Sequence, residues 1–336
     1  MNKNKHPFVL LLIILLNFSL FAQATENGPG EPNNWQRWGT KDQLGAANFI
    51  RPEHIVRAAG LIKHGKVFSL AIPLDNNGPI YPGRLSPHHI MVVTGADYVA
   101  GAPNAIGKMK FADDYIYMPL QGSTQWDALS HAWYGEHLYN GFHESNIKSA
   151  PGNGGAGKLG IENVKTAFIG RGVLVDILAY KNNELSPGYT ISRKDIESAL
   201  KKQQVNVGQG DVVLIRTGVV PAYYQLEGPI DRQAFMLGPQ TGIGSDVVDW
   251  IAEHEVAAVA ADNITLEVYP HPDPEKTLSI HGSLLRDLGV YIGEIWWLED
   301  LAEDCARDGV YEFFIAAQPL NIPGAVGSPL NPIAIK

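Results

Sequence analysis

The chain has 336 residues, 45% hydrophobic and 18% charged, which supports a sizeable core and excludes disorder as the main state. Acidic residues outnumber basic ones by 35 to 26, for a formal charge of −9, so no nucleic-acid partner is expected. With 35 Gly and 22 Pro, the composition favours turns and loops over a helical array.

Residues 1–24 read as a cleaved export signal. Lys3 and Lys5 supply the positive start, Phe8 to Leu16 the apolar run, and Ala22-Gln23-Ala24 the cleavage site. A membrane anchor needs about 20 apolar residues, and Asn17 interrupts this run early. A periplasmic or secreted protein without a stable membrane anchor is therefore expected. Residues 25–336 show no internal repeat and no charged linker, which predicts a single domain. Cys305 has no internal disulfide partner and is expected to be a buried, inert side chain.

Pro52 to Lys63 carries apolar residues at helical spacing, and Val67 to Ile72 reads as a strand. A short strand is predicted at Tyr115 to Met118, and the Gly-rich stretch Pro151 to Gly160 breaks regular structure. Strand patterns then recur at Val173–Leu178, Val212–Ile215, Val256–Ala260, Val290–Ile292 and Tyr311–Ala317. Between them, Ser192 with Asp195 predicts a capped helix through Lys202. Ser245 is a candidate cap for Asp246–Glu253, and Leu298–Arg307 is a third helix. The pattern predicts a mixed α/β domain with a large sheet or barrel wrapped by helices.

Several familiar chemistries are missing. Gly152 to Lys158 has phosphate-loop spacing, but Leu159 replaces the metal-binding Ser or Thr and no clear strand precedes it, so a surface loop is expected. Neither His-Glu-x-x-His nor a Gly-x-Ser-x-Gly elbow occurs, which turns attention to an activated water. The informative segment is Leu120 to Tyr134. If it is extended, Gln125 and Asp127 point the same way. A helical turn after Asp127 would bring His131 beside it. Aromatic residues flank both, as in a small-molecule pocket. A second cluster places His281 before a short helix (Ser283–Asp287) and Glu294 inside the apolar run Tyr-Ile-Gly-Glu-Ile-Trp-Trp. A carboxylate buried there wants a cation, either a metal or an Arg.

Taken together, these blocks resemble the cyclase family of metal-dependent hydrolases, which includes bacterial kynurenine formamidase and isatin hydrolase. The resemblance runs from Arg37–Asn48 through Gln121–His131, Asp262–Thr265, His281–Val290 and Glu294 to Pro319–Pro329. It implies a swivelling β/β/α domain, a barrel-like mixed sheet surrounded by helices, and a homodimer or larger assembly. By position it implies metal ligands Gln121, Gln125, Asp127, His281 and Glu294, with His131 moving protons. The family's block reads His-x3-His-x-Asp-x3-His, and both leading His are Gln here. Gln offers only a neutral carbonyl oxygen, so the expectation narrows to a single, oxygen-rich Mn, Zn or Fe site centred on Asp127, His281 and Glu294.

The expected activity is hydrolysis of a small amide, lactam or lactone. Trp126, Trp133 and Tyr134 are expected to stack on an aromatic or cyclic substrate. Two alternatives stand beside it. One is a metal-free proton-transfer enzyme using Asp127 and His131, and the other is a non-catalytic small-molecule-binding protein on the same scaffold.

Overall fold

The computed structural model describes residues 32–103, 106–149 and 154–336. The expected export signal and the start of the Gly-rich stretch, Pro151 to Asn153, lie outside the described residues. Nine strands form one mixed sheet. They are β1 (Val67–Ser69), β2 (Gln125–Asp127), β3 (Ile169–Asp176), β4 (Val212–Arg216), β5 (Ala258–Ala261), β6 (Tyr291–Glu294), β7 (Glu312–Ala316), β8 (Gly327–Pro329) and β9 (Ile333–Ile335). Their spatial order is β1-β9-β7-β3-β4-β5-β6-β2-β8.

The centre, β3-β4-β5-β6, is parallel and both flanks are antiparallel. The parallel strands are runs such as Val173-Leu-Val and Ala258-Val-Ala-Ala, buried throughout. Such runs suit a sheet covered on both faces. The sheet curls until its edges approach. Only Leu330, Asn331 and Pro332 connect β8 at one edge to β9 beside the other, a reach of roughly 14 Å at most. Beyond β1, Ala71 bridges to Trp296 and Leu70 accepts a hydrogen bond of 2.9 Å from Trp297 N–H. The barrel-like mixed sheet expected from the sequence is therefore what the chain builds.

Helices surround it: α1 (Pro52–Ala59), α2 (Arg193–Gln203), α3 (Asp246–Glu253) and α4 (Glu299–Asp308). Pro52 starts α1 where a missing N–H costs nothing. At α2 the predicted capping box forms, with Ser192 Oγ accepting from Asp195 N–H at 3.2 Å and the Asp195 carboxylate from Ser192 N–H at 3.1 Å. Ile196, Ala199 and Leu200 make its inner face. Helix α3 forms as predicted, but Ser245 has helical backbone angles and its side chain does not cap. Cys305 is fully buried on α4, and burial pushes its thiol up to about 12, which keeps it protonated and inert.

The strand predicted at Tyr115 sits outside the sheet. Asp113–Tyr117 pairs antiparallel with His88–Val93 in a separate two-stranded sheet exposed along nearly its whole length. No helix among the described residues is long and apolar enough to cross a membrane.

Candidate active site

Strand β2 is three residues long and buried at all three. It lies between β6 and β8, with Gln125 opposite Glu294 and Asp127 opposite Ile292. Because side chains alternate, Gln125 and Asp127 share a face, and Glu294 joins them from the neighbouring strand. The Gln125 amide donates to the Glu294 carboxylate at 2.8 Å and lies 3.4 Å from Asp127 Oδ1. Thr124 secures the approach to β2, donating to Ile295 O at 2.6 Å and accepting Ile72 N–H at 3.0 Å.

Alternation also corrects one expectation. Trp126 points to the opposite face, with no exposed surface, between Phe168 and Trp296 at centroid distances of 4.9 Å, and donates to Ala317 O at 2.7 Å. It is a core residue and cannot stack on a substrate.

His281 comes from the segment between β5 and β6. It closes the short helix Ser279–His281, which continues as a π-helix through Gly282–Leu288, so it lies within helical structure rather than before it. Its orientation is set by a residue that the sequence reading missed. Glu267 is fully buried and accepts His281 Nδ1–H at 2.6 Å, His281 N–H at 2.9 Å and Ile280 N–H at 3.3 Å. A carboxylate bound to Nδ1 turns Nε2 inward, the usual outer support of a metal-ligating histidine. Gly242 lets Glu267 sit there, since a Cβ at that position would lie 2.3 Å from the Glu267 backbone.

Nε2 of His281 faces Glu294 Oε1 at 3.2 Å and Asp127 Oδ2 at 4.0 Å. One ligand atom from each of Asp127, His281 and Glu294 can be chosen so that all lie within 4.8 Å of one another. Burial raises the Asp127 carboxyl to about 6; His131 opposes that shift and the Glu294 charge adds to it. Burial alone would lower the His281 pKa, but hydrogen bonds to Glu267 and Glu294 carry it up to about 10. Asp127 Oδ2 and Gln125 Oε1 are buried and have no hydrogen-bond partner among the described residues. A buried, unpartnered carboxylate oxygen facing an imidazole and a second carboxylate is costly unless a cation fills the gap. The O, N, O donor set suits one Mn, Fe or Zn ion. The residues present therefore fit a single divalent metal.

The two glutamines that the resemblance implies as ligands both lie beside the cluster, and Gln125 Oε1 has no hydrogen-bond partner among the described residues. Gln125 turns its N–H group to the carboxylates, and Gln121 places its amide 3.4 Å from His131 Nδ1. Both serve as hydrogen-bonding neighbours of the site. His131 follows a tight turn, with its N–H on Ala128 O at 2.9 Å, rather than a turn of helix. That still brings its Nε2 3.8 Å from Asp127 Oδ1. Burial lowers its pKa below the ordinary 6.5 against the pull of Asp127, which favours the neutral ring.

A cavity of about 700 Å³ opens over this floor, reaching His131, His281 and Glu294. Trp133 and Tyr134 line its wall as expected. Tyr134 is held by a hydrogen bond to Asp287 and by the Arg286 guanidinium 4.2 Å from its ring centroid. It packs on the helix only because Gly282 has no Cβ, which would come within 2.6 Å of the ring. Tyr81, Arg84 and Glu275 also line the cavity, unforeseen in the sequence. A signal existed for Glu267, a lone carboxylate between Leu266 and Val268, but none for Tyr81 and Arg84, which lie in an irregular loop.

The model of the cyclase family matches residues 68–268. A crystal structure described as a novel cyclase is 64% identical, with a TM-score of 0.87, covering 91% of this chain and 100% of that one. The chain belongs to the cyclase family. Isatin hydrolase A from Labrenzia aggregata, bound to benzyl benzoate, is 16% identical with a TM-score of 0.56, over 82% of this chain and 94% of that one. Isatin hydrolase A from Ralstonia solanacearum is 18% identical with the same TM-score of 0.56, over 83% and 94%. At that identity the cyclase-family chain shares their fold. A comparison with curated proteins gives no match.

Proposed function

We propose that this cyclase-family chain hydrolyses a small amide, lactam or lactone with an aromatic or cyclic body. The observation that carries the proposal is the buried Asp127–His281–Glu294 cluster, with an Asp127 oxygen that has no hydrogen-bond partner among the described residues, reached by the 700 Å³ cavity through His281 and Glu294 beside His131. Asp127, His281 and Glu294 would hold one divalent cation. Such a cation supplies Lewis acidity, lowering the pKa of water toward ~7 and polarising a carbonyl.

The chain's own residues do the rest. Glu267 fixes the His281 ring through Nδ1, so that Nε2 faces the cluster. His131 takes a proton from the attacking water, and the Asp127 carboxylate, 3.8 Å from Nε2, stabilises the imidazolium that forms. The same imidazolium returns the proton to the departing nitrogen or oxygen. Trp133 and Tyr134 bracket a flat substrate and keep bulk water from one side of the carbonyl. An exported homodimer or larger assembly belongs to the same proposal.

The Gln125 amide between Glu294 and Asp127 favours one second reading, a metal-free proton transfer between Asp127 and His131. Metal analysis of the protein purified without chelator, beside Asp127→Ala, separates the two. Near-stoichiometric Mn, Fe or Zn that is lost in the variant, with turnover of aromatic amides, lactams or lactones, supports hydrolysis. Empty protein that gains no thermal stability from added Mn²⁺ or Zn²⁺ removes the hydrolytic mechanism.

A further inference from the structure

Arg84 is the one Lys or Arg among the residues lining the 700 Å³ cavity. It is half-buried, and its guanidinium donates to Gln121 O at 3.0 Å and stands 5.4 Å from the Tyr81 ring centroid. It forms no ion pair with a carboxylate among the described residues. Three other partly or fully buried arginines are paired with carboxylates. Arg171 binds Asp211 and Glu312, Arg216 binds Asp176 and Glu299, and Arg286 binds Asp287. An arginine has five N–H donors, and at Arg84 one of them is anchored on a carbonyl. The anchor fixes the planar fork without neutralising it, and leaves donors to meet a ligand.

The charge pattern gives the ligand's polarity and direction. The lining carries two carboxylates, Glu294 from the cluster and Glu275, and Arg84 is its one guanidinium. A carboxylate on a ligand is drawn to Arg84 and repelled by Glu294 and Glu275, which orients the ligand before any reaction. Arg84 and Tyr81 also line an adjoining cavity of about 560 Å³. There Arg232 repeats the arrangement, donating to Leu226 O at 3.1 Å, 5.2 Å from the Tyr223 centroid, again with no ion pair among the described residues. Arg84 and Arg232 thus each bring to these cavities a guanidinium that no carboxylate pairs directly among the described residues, although Glu275 and Glu227 also line them.

We infer that Arg84 is a specificity-determining residue that binds a carboxylate carried by the substrate, remote from the carbonyl that is attacked. This deepens the hydrolase reading by naming the substrate class, an aromatic or cyclic acyl compound with a free carboxylate. The planar fork pairs with a carboxylate through two parallel hydrogen bonds, and the neighbouring aromatic rings take the apolar body.

Calorimetric titration with sodium benzoate and with benzamide at constant ionic strength tests the assignment without turnover. The full chain is expected to bind benzoate at least tenfold more tightly than benzamide. Arg84→Gln should weaken benzoate on the order of 10- to 100-fold and leave benzamide unchanged. Arg84→Lys, which keeps the charge but not the fork, should fall between them. Asp127→Ala should still bind benzoate, so a failed hydrolase reading (no metal, no turnover) would leave this result standing. Equal binding of the two probes by the unmodified chain overturns the inference, as does the absence of benzoate binding. So does Arg84→Gln binding benzoate within twofold of the unmodified chain. Loss of benzoate in Asp127→Ala alone would overturn the inference by placing the carboxylate on a cation held at the Asp127–His281–Glu294 cluster instead.

Discussion

Glu267 offers the sharpest test of how the site is assembled, because it touches no ligand and acts only through His281. It accepts three hydrogen bonds, at 2.6, 2.9 and 3.3 Å, from the His281 ring, the His281 backbone and the Ile280 backbone. Glu267→Gln preserves the shape and leaves one acceptor oxygen, but removes the charge that holds Nδ1–H. Outer partners of this kind typically contribute 10- to 100-fold to metal affinity. The Gln variant should therefore bind Mn²⁺ or Zn²⁺ about 10-fold more weakly, and Glu267→Ala about 100-fold. Glu267→Ala also strands the His281 donors in a fully buried place, adding about 1–3 kcal/mol of lost stability. Competition against a chromophoric chelator measures the affinity, and urea unfolding without metal measures the stability. An Ala variant that binds metal within twofold of the unmodified chain, while remaining folded, would refute the orienting role.

His131→Ala should lower turnover of any amide or lactone substrate by ~10² to 10⁴, the usual size of a general acid–base contribution. A variant keeping more than half of the activity would take His131 out of the mechanism. Trp126→Ala should cost ~3–5 kcal/mol in urea unfolding, as for other buried tryptophans, with metal stoichiometry of the folded fraction unchanged. Unchanged stability with weakened ligand binding would return Trp126 to the cavity wall. Burial would raise the Asp304 carboxyl, but hydrogen bonds and charge from Lys66 and Lys336 hold it below its ordinary 3.8. Its stabilising share is therefore complete above that value and fades as pH falls through the folded-state pKa. Asp304→Asn should be destabilised at pH 7 by about 3 kcal/mol, with the gap to the unmodified chain closing in strong acid. A gap that stays constant with pH would show that Asp304 acts by packing alone.

The parallel centre of the sheet was legible because strands covered on both faces need continuous apolar runs, and four of the predicted strands are those runs. The capping box at Ser192 was legible because it is a local bond pattern. Strand β2 was not, since Gln125-Trp-Asp is short and polar at two of three positions, and only its neighbours β6 and β8 make it a strand. Strand β8 carries Gly327, Ser328 and Pro329, all poor strand formers held at a sheet edge. In the site, Asp127, His281 and Glu294 were reached through family resemblance and the cost of burying Glu294. Glu267 would have yielded to that same cost argument. Tyr81 and Arg84 would not, because an irregular loop leaves no periodic trace of the direction in which its side chains point. Trp126 went astray because aromatic character says nothing about which face of a strand will be buried.

The alternation along β2 ties chemistry to spacing in the chain. Gln125 and Asp127 serve the site while Trp126, between them, is wedged into the core. Inserting or deleting a single residue just before this strand would exchange the two faces, sending the indole into the cavity and two polar side chains into hydrocarbon. Substitutions around the cavity can reshape what it accepts one residue at a time. Length changes next to β2 have no such gentle path. Evolution of new specificity on this scaffold is therefore expected to work through side-chain exchange in the cavity walls, with the distance from Pro119 to Asp127 held constant.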